Sequence, residues 1–313
     1  MTLRIFLNLT PERLGPWHGP LRDALAHAGI VAEILDTPSE AVQRGAQYVV
    51  NAPNGPLQDF GTVPGLRAVL NAWAGVEKVV GNPTLTVPLA RMVDPGLTEG
   101  MVEYVTGHVL RHHLGMDGHI LNPTHMWEER NVPLARERPV GILGLGELGT
   151  ACAQALRALN FPVTGWSRRP RELAGITCHA GADGLSATLA GAQILVLLLP
   201  DTPATTNILN ATRLAQLPRG AVIINPGRGP LIEDAALLAA LDAGQIGHAT
   251  LDVFRQEPLP AGHPFWAHPK ITVTPHIAAD TRPITAAGVI VENIRRDQAG
   301  EALLHLVDRE AGY

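Results

Sequence analysis

Three polar side chains each follow an apolar run of the length of a buried strand. Arg228 lies in Asn225-Pro226-Gly227-Arg228-Gly229, Glu257 in Asp252-Val253-Phe254-Arg255-Gln256-Glu257, and His276 in Thr274-Pro275-His276-Ile277. Strand ends of an open parallel α/β sheet face the ligand crevice, so all three are expected on one face. A planar guanidinium can fork onto a carboxylate and a carbonyl. An imidazole can hold a transferable proton near neutral pH. A carboxylate beside it favours the imidazolium and fixes the ring. Singly, Glu257 reads equally well as a solvated loop acid, and a lone histidine such as His276 is more often structural than catalytic. Together they suit hydride transfer to the carbonyl of a 2-keto acid.

Such chemistry needs a nicotinamide dinucleotide, and residues 139–170 have the form of a site for one. The apolar run Val140-Gly141-Ile142-Leu143 is followed by Gly144-Leu145-Gly146-Glu147-Leu148-Gly149, an alanine-rich helical stretch to about Asn160, and a second strand from Val163 to Trp166. This is G-x-G-x-x-G between strand and helix, the context that gives the motif its meaning. Gly144 permits the tight turn, Gly146 lets a pyrophosphate approach, and Gly149 lets helix and strand pack closely. The phosphates would meet the free N–H groups at the helix N-terminus. Where an NAD site usually places Asp or Glu, this chain has Ser167-Arg168-Arg169. A hydroxyl and two guanidiniums accept a 2′-phosphate that a carboxylate would repel, so NADP is expected over NAD.

The composition sets the frame. The chain has 313 residues, 46% hydrophobic and 17% charged, with a formal net charge of −5. That is room for two domains of about 100–200 residues each. No basic footprint for nucleic acid is present. Two cysteines, Cys152 and Cys178, have neither metal nor redox spacing and read as packing residues in a reducing compartment. The thirteen histidines, the pair His112-His113 included, show no metal-ligand spacing, so no metal is expected. No secretory signal opens the chain and no apolar run approaches a membrane span, which points to a cytoplasmic protein.

The positioning elements alternate strand and helix throughout, as in parallel α/β units. Residues 1–96 carry strands at 3–7, 30–35, 48–51 and 66–70, with a helix from Leu14 to Ala28. Two loops beyond these strands, Asn51 to Pro56 and Ala74-Gly75-Val76, could face a ligand. Asp94 caps a long helix reaching about His113, whose stripe of Leu97, Met101, Tyr104, Val105, His108 and Val109 is expected to pack into the core or to form a dimer seam. Later strands are expected at 176–178, 193–199, 221–225, 249–254 and 271–274, with a helix at 231–243. The last helix, from Pro283 to about Ala299, crosses back to the first unit.

Taken together, the glycine turn, Asn225-x-Gly227-Arg228-Gly229, Leu251-Asp252-Val253-Phe254 with Glu257-Pro258-Leu259-Pro260, and Thr274-Pro275-His276-Ile277-Ala278-Ala279 resemble the D-2-hydroxyacid dehydrogenase family. Ala74-Gly75-Val76, Glu99 to Tyr104, Trp166-Ser167-Arg168, His276 to Pro283 and Val307-Asp308-Arg309 are similar, more narrowly, to its glyoxylate/hydroxypyruvate reductases. The resemblance implies two Rossmann-like, parallel-sheet domains with a cleft between them: a flavodoxin-like substrate domain of residues 1–96 and 284–313, and a doubly wound cofactor domain of residues 97–283. It also implies a homodimer that prefers NADPH, with NAD possible, and reduces a small 2-keto acid. Arg228 would bind substrate, His276 with Glu257 would be the acid/base pair, and Ala74, Gly75 and Val76 would hold the substrate carboxylate. The expected cofactor contacts are Gly144, Gly146, Glu147, Leu148, Gly149, Ser167, Arg168, Arg169, Leu199, Pro200, Asn225, Pro226, Gly227, Asp252, His276 and Ala278. Two features depart from the reductase pattern: Asn51 to Pro56 lacks the aromatic of that loop, and Asp280 replaces an apolar residue. A larger 2-keto acid, or a dinucleotide-sensing protein without turnover, are the alternative readings.

Overall fold

The computed structural model describes every residue except Met1, Pro123, Thr124, Glu128, Arg130 and Tyr313. The chain divides into two units, residues 1–97 with 280–313, and residues 98–279. The division falls one residue after Gly96 and assigns residues 280–283 to the first unit, where the sequence placed them in the second. Among the described residues no helix is long and apolar enough to cross a membrane.

The first unit opens with β1 (Leu3–Asn8), α1 (Pro11–His27), β2 (Ala32–Leu35), α2 (Pro38–Arg44), β3 (Tyr48–Asn51), β4 (Ala68–Asn71) and β5 (Leu89–Ala90). All five strands are parallel, in the order β2-β1-β3-β4-β5. That is the flavodoxin-like winding. Helices cover both faces, so the strands are apolar without alternation. Ile5, Leu7, Tyr48 and Val50 pack on Trp17, Leu21 and Leu25 of α1. Phe6, Val49 and Val69 form the opposite core with Leu35, Phe60 and Leu89. The edge strand β5 escaped sequence reading because two residues carry no periodicity.

The second unit is reached through α3 (Pro95–His113) and α4 (Met116–Leu121). The Asp94 carboxylate caps α3, accepting from the N–H groups of Gly96 (2.9 Å) and Leu97 (3.3 Å). There follow β6 (Val140–Leu143), α5 (Glu147–Ala158), β7 (Val163–Ser167), β8 (Thr177–Ala180), α6 (Gly181–Gly191), β9 (Ile194–Leu197), α7 (Ala211–Leu214), β10 (Ala221–Asn225), α8 (Asp234–Asp242), β11 (Ile246–Leu251) and β12 (Ile271–Val273). The seven strands run parallel in the order β12-β11-β10-β9-β6-β7-β8. Winding reverses between β6 and β9, the switch point at which open sheets bind ligands. Strand β11 starts three residues before the expected Ala249. The helix expected from Leu231 starts at Asp234, because residues 229–231 close a separate 3₁₀ turn. The final helix, α9 (Pro283–Gln298), belongs to the first unit and buries Ala286, Ile290, Val291 and Ile294 in the core that α1 covers. The tail beyond it is also anchored, with the Val307 N–H donating to the Leu89 carbonyl at 2.8 Å.

The glycine turn after β6 shows which glycines the fold itself requires. Gly144 sits at φ +108°, and a Cβ there would stand 2.4 Å from the Leu198 carbonyl oxygen. A Cβ on Gly149 would be 1.7 Å from the Gly144 carbonyl oxygen. Gly146 differs. Its φ of −72° suits any residue, and a Cβ would meet nothing within 4 Å. We therefore expect Gly149→Ala to destabilise the second unit by about 1–3 kcal/mol. In urea unfolding Gly146→Ala should stay within about 0.5 kcal/mol of wild type. Equal losses at both positions would contradict this division of labour.

Candidate active site

The second unit brings Glu257 and His276 into direct contact, with Arg228 close by. Arg228 begins where β10 ends, and the turn that carries it is built by Asn225. The buried Asn225 side chain accepts from the Gly227 N–H (3.2 Å) and donates to the Arg228 carbonyl (2.9 Å). Gly227 lies where a Cβ would reach the Leu197 carbonyl oxygen at 2.7 Å, and Gly229 where it would meet Phe254 backbone at 2.0 Å. Backbone therefore packs tightly on both sides of Arg228, and its side chain leads off from a rigid turn. Pro226 is buried beneath it.

Glu257 follows β11 and is held by the Phe254 N–H, which donates to Oε1 at 2.9 Å. Its Oε2 lies 2.8 Å from His276 Nδ1. An ionised carboxylate only accepts, so Nδ1 carries the hydrogen and Nε2 is left to face a ligand. The bond to Glu257 raises the proton affinity of His276 above that of an ordinary imidazole, against the effect of burial and of the Arg228 charge. Burial pushes Glu257 up, but the hydrogen bonds from His276 and the Phe254 N–H prevail and its carboxyl titrates below the usual range. Both side chains remain reachable, 36% exposed for Glu257 and 52% for His276.

His276 adopts φ +54°, a left-handed conformation uncommon outside glycine. Such strain persists only where the surroundings over-determine it. Here they do. The His276 N–H donates to the Asp252 carbonyl at 2.8 Å. The Asp252 carboxylate, with no exposed surface, accepts from Thr274 Oγ1 (2.6 Å) and from the N–H groups of Ile277 and Ala278 (2.9 Å each). Asp252 was expected among the cofactor contacts. In this conformation its oxygens are committed to the loop around His276, as is the buried Ala278 N–H.

The other residues expected to hold the dinucleotide line the carboxyl ends of β6, β7 and β9. Gly146 and Glu147 are exposed at the first turn of α5, Leu148 is half-buried and Gly149 buried. The space over Gly146 is what a pyrophosphate would fill, above the N–H groups of a helix start. Ser167 ends β7, its hydroxyl donating to the Arg169 carbonyl at 2.7 Å, while Arg168 and Arg169 are exposed. Leu199 is buried beyond β9, and the Pro200 carbonyl accepts from Thr205 Oγ1 at 2.7 Å. No acidic side chain occupies the end of β7. The set fits a dinucleotide with a 2′-phosphate.

In the first unit, Ala74, Gly75 and Val76 form a turn beyond β4. No backbone carbonyl among the described residues accepts from their N–H groups. Three buried asparagines at the ends of β1, β3 and β4 aim this turn. Asn8 Nδ2 donates to Asn51 Oδ1 (2.8 Å), Asn51 Nδ2 to Asn71 Oδ1 (3.1 Å), and Asn71 Nδ2 to the carbonyls of Trp73 (2.8 Å) and Gly75 (2.9 Å). The Asn8 amide also clamps Leu57 through both its N–H and its carbonyl, tying down the loop that starts at Asn51. Asp280 pairs with Arg13 at 3.5 Å, and that guanidinium lies over the Trp73 ring.

The polar face of α3 was missed. Of its expected apolar stripe, Met101, Val105 and Val109 do enter the core with Ile142 and Cys152. Tyr104 packs against the same core and also bonds Thr274 Oγ1 at 2.7 Å, its ring 4.4 Å from that of His108. Arg111 donates to Asp117 (2.7 Å) and to Thr272 (3.0 Å). His112 and His248 each share a hydrogen bond with a strand threonine, Thr250 and Thr272. Burial and the Arg111 charge hold these rings neutral, His112 pushed down to about 3 and His248 to about 4. Among the described residues no group of three potential ligands is placed to hold a metal ion. Cys152 is buried, its thiol pushed up to about 12.

The family model for the NAD binding domain of D-isomer specific 2-hydroxyacid dehydrogenases matches residues 108–278. Glyoxylate/hydroxypyruvate reductase A of Yersinia enterocolitica is 42% identical over 256 residues, covering 79% of this chain and 82% of that protein. A solved D-isomer specific 2-hydroxyacid dehydrogenase from Xanthobacter autotrophicus Py2, in complex with NADPH and MES, is 39% identical over the whole of both chains with a TM-score of 0.92. The NADPH-dependent glyoxylate/hydroxypyruvate reductase of Sinorhizobium meliloti, in complex with NADP and sulfate, is 36% identical over the whole of both chains with a TM-score of 0.88. With its doubly wound sheet matched by the model and relatives similar along most of its length, the chain belongs to the D-isomer specific 2-hydroxyacid dehydrogenase family.

Proposed function

We propose that this protein reduces small 2-keto acids, of the glyoxylate and hydroxypyruvate type, to D-2-hydroxy acids with NADPH as the preferred reductant. The observation that carries the reading is the 2.8 Å contact between Glu257 and His276, reachable by a small ligand. It is supported by kinship with reductases of that specificity and by solved relatives that hold NADPH or NADP.

Each residue has a task that its chemistry suits. NADPH, when bound, supplies the hydride. The first turn of α5 receives the pyrophosphate over Gly146, and Arg168 with Arg169 receives the 2′-phosphate while Ser167 shapes their turn. Arg228 binds the keto acid by a guanidinium fork, and the N–H groups of Ala74, Gly75 and Val76 bind its carboxylate. Glu257 keeps the imidazole of His276 protonated and its Nε2–H directed outward. His276 gives that proton to the carbonyl oxygen as negative charge develops there.

The pH dependence follows in sign. Reduction requires the protonated ring, which is present below the raised value of His276 and lost as pH rises through it. The basic limb of kcat/KM for reduction should therefore lie above about 6.5, the ordinary imidazole value. Replacing Glu257 by Gln removes the raising charge and should move that limb towards acid by about one unit or more. A limb that stays in place would remove Glu257 from this role. Cofactor choice tests separately: Arg168→Asp with Arg169→Ala should shift the ratio of kcat/KM for NADPH over NADH downward by about tenfold or more, one lost charged contact being worth about 1.4 kcal/mol. An unchanged ratio would contradict the assignment.

The protein acts as a cytoplasmic homodimer in this reading. Support for the homodimer comes from large apolar side chains left exposed in the segment that follows α3: Ile120 and Leu121 are each 74% exposed and Trp127 is 93% exposed. Covering such side chains on association would take their apolar surface out of water. Light scattering should give twice the chain mass for the wild type, and the single chain mass for Ile120→Glu with Trp127→Glu. A wild-type monomer would refute the dimer.

A further inference from the structure

The polar face of α3 meets the loop of His276 at Thr274 Oγ1. The direction of the hydrogen bonds there follows from counting protons. Thr274 has one hydroxyl hydrogen, and the Asp252 carboxylate 2.6 Å away has none to give. That hydrogen therefore goes to Asp252. The 2.7 Å bond between Tyr104 and Thr274 must then be donated by Tyr104. Burial keeps the phenol protonated and able to do so. We propose that Tyr104 and Thr274 are positioning residues for His276, forming a directed chain, Tyr104 to Thr274 to Asp252, that secures the strained loop carrying the imidazole. The inference rests on the reading of His276 as the proton donor.

The chain has a reason to be polar. Asp252 grips His276 from both sides, through its carbonyl to the His276 N–H and through its carboxylate to the two N–H groups that follow. Its charge also acts on the ring, favouring the imidazolium. A buried carboxylate needs donors to stay ionised. The two amides supply part of that need, and Thr274, itself polarised by Tyr104, supplies the rest. The charged and titratable groups around this chain are His108, Arg111 and Asp117 on the side of α3 and α4. On the other side His276 faces Glu257 and Arg228. Tyr104 is anchored in turn, because α3 is pinned to β12 and β11 through Arg111 with Thr272 and His112 with Thr250.

Isosteric variants test the chain. Thr274→Val keeps the shape and removes the hydroxyl, and Thr274→Ser restores it. Tyr104→Phe removes only the first donor. We expect Thr274→Val to lower kcat about tenfold with KM for NADPH within about twofold, one lost charge-assisted hydrogen bond being worth about 1.5 kcal/mol. Thr274→Ser should recover most of it. Tyr104→Phe should lower kcat by a smaller factor in the wild type and have no further effect in Thr274→Val, since neighbours in one network are not additive. A second readout needs no cofactor. In NMR titration, with the resonance assigned by His276→Gln, the imidazole of His276 should titrate about half a unit lower in Thr274→Val, Asp252 having lost a donor that keeps its carboxylate ionised. Wild-type kcat and titration in Thr274→Val, or additive effects of the two substitutions, would overturn the proposal. An inactive wild type would instead defeat the reading of His276 on which it stands.

Discussion

The bond between Glu257 and His276 sets the terms for everything around it. An imidazole that must hold a proton near neutral pH needs a negative partner. That partner must stay ionised while partly withdrawn from water. Glu257 meets both demands because the Phe254 N–H holds its second oxygen. The pair works only if the ring is presented in one orientation. The left-handed backbone of His276 provides that orientation and has to be paid for by its surroundings. Asp252 does so by gripping the backbone on either side of the histidine. The same side chain adds a second negative charge within reach of the ring.

The arrangement depends on parallel strands ending together. β10, β11 and β12 are adjacent and, past an irregularity at the start of β10, in register to their carboxyl ends, so the turns that follow them emerge side by side. Arg228, Glu257 and His276 come from those three turns. The glycines flanking Arg228 let the first turn press against its neighbours at distances no Cβ would tolerate. On the far side of the sheet centre, the turn after β6 leaves open the space above Gly146 that a phosphate needs. The fold thus offers charge and proton at one set of strand ends and helix N–H groups at another, as a doubly wound sheet allows. The first unit uses the same principle by different means. Three in-register asparagines carry an amide chain across its strand ends to the turn at residues 73–75.

Much of this was legible in the sequence. The glycine turn could be read because each glycine sits between a strand and a helix. The trio could be read because each member follows an apolar run. Neither required long-range information. What could not be read depended on partners distant in the chain. Tyr104 and Thr274 are separated by 170 residues, and on periodicity alone Tyr104 and His108 belong to the apolar stripe of α3. Periodicity places a side chain on a face without saying whether that face meets a leucine or a threonine. The amide chain of Asn8, Asn51 and Asn71 was unreadable for the same reason, its register being invisible until the strands pair. Asp252 stood in the right motif, but only the structure showed its carboxylate turned into the loop.

The central claim is that this chain delivers a proton from His276 to a keto acid that receives hydride from NADPH. The most direct test follows the label: incubation of the protein with hydroxypyruvate and NADPH deuterated at the transferring C4 position, with the product analysed by NMR and for chirality. Deuterium is predicted at C2 of D-glycerate, with the rate of its formation reduced by about a thousandfold in His276→Gln, the middle of the range for loss of a general acid. Unlabelled product, the L enantiomer, or a wild-type rate in His276→Gln would contradict it.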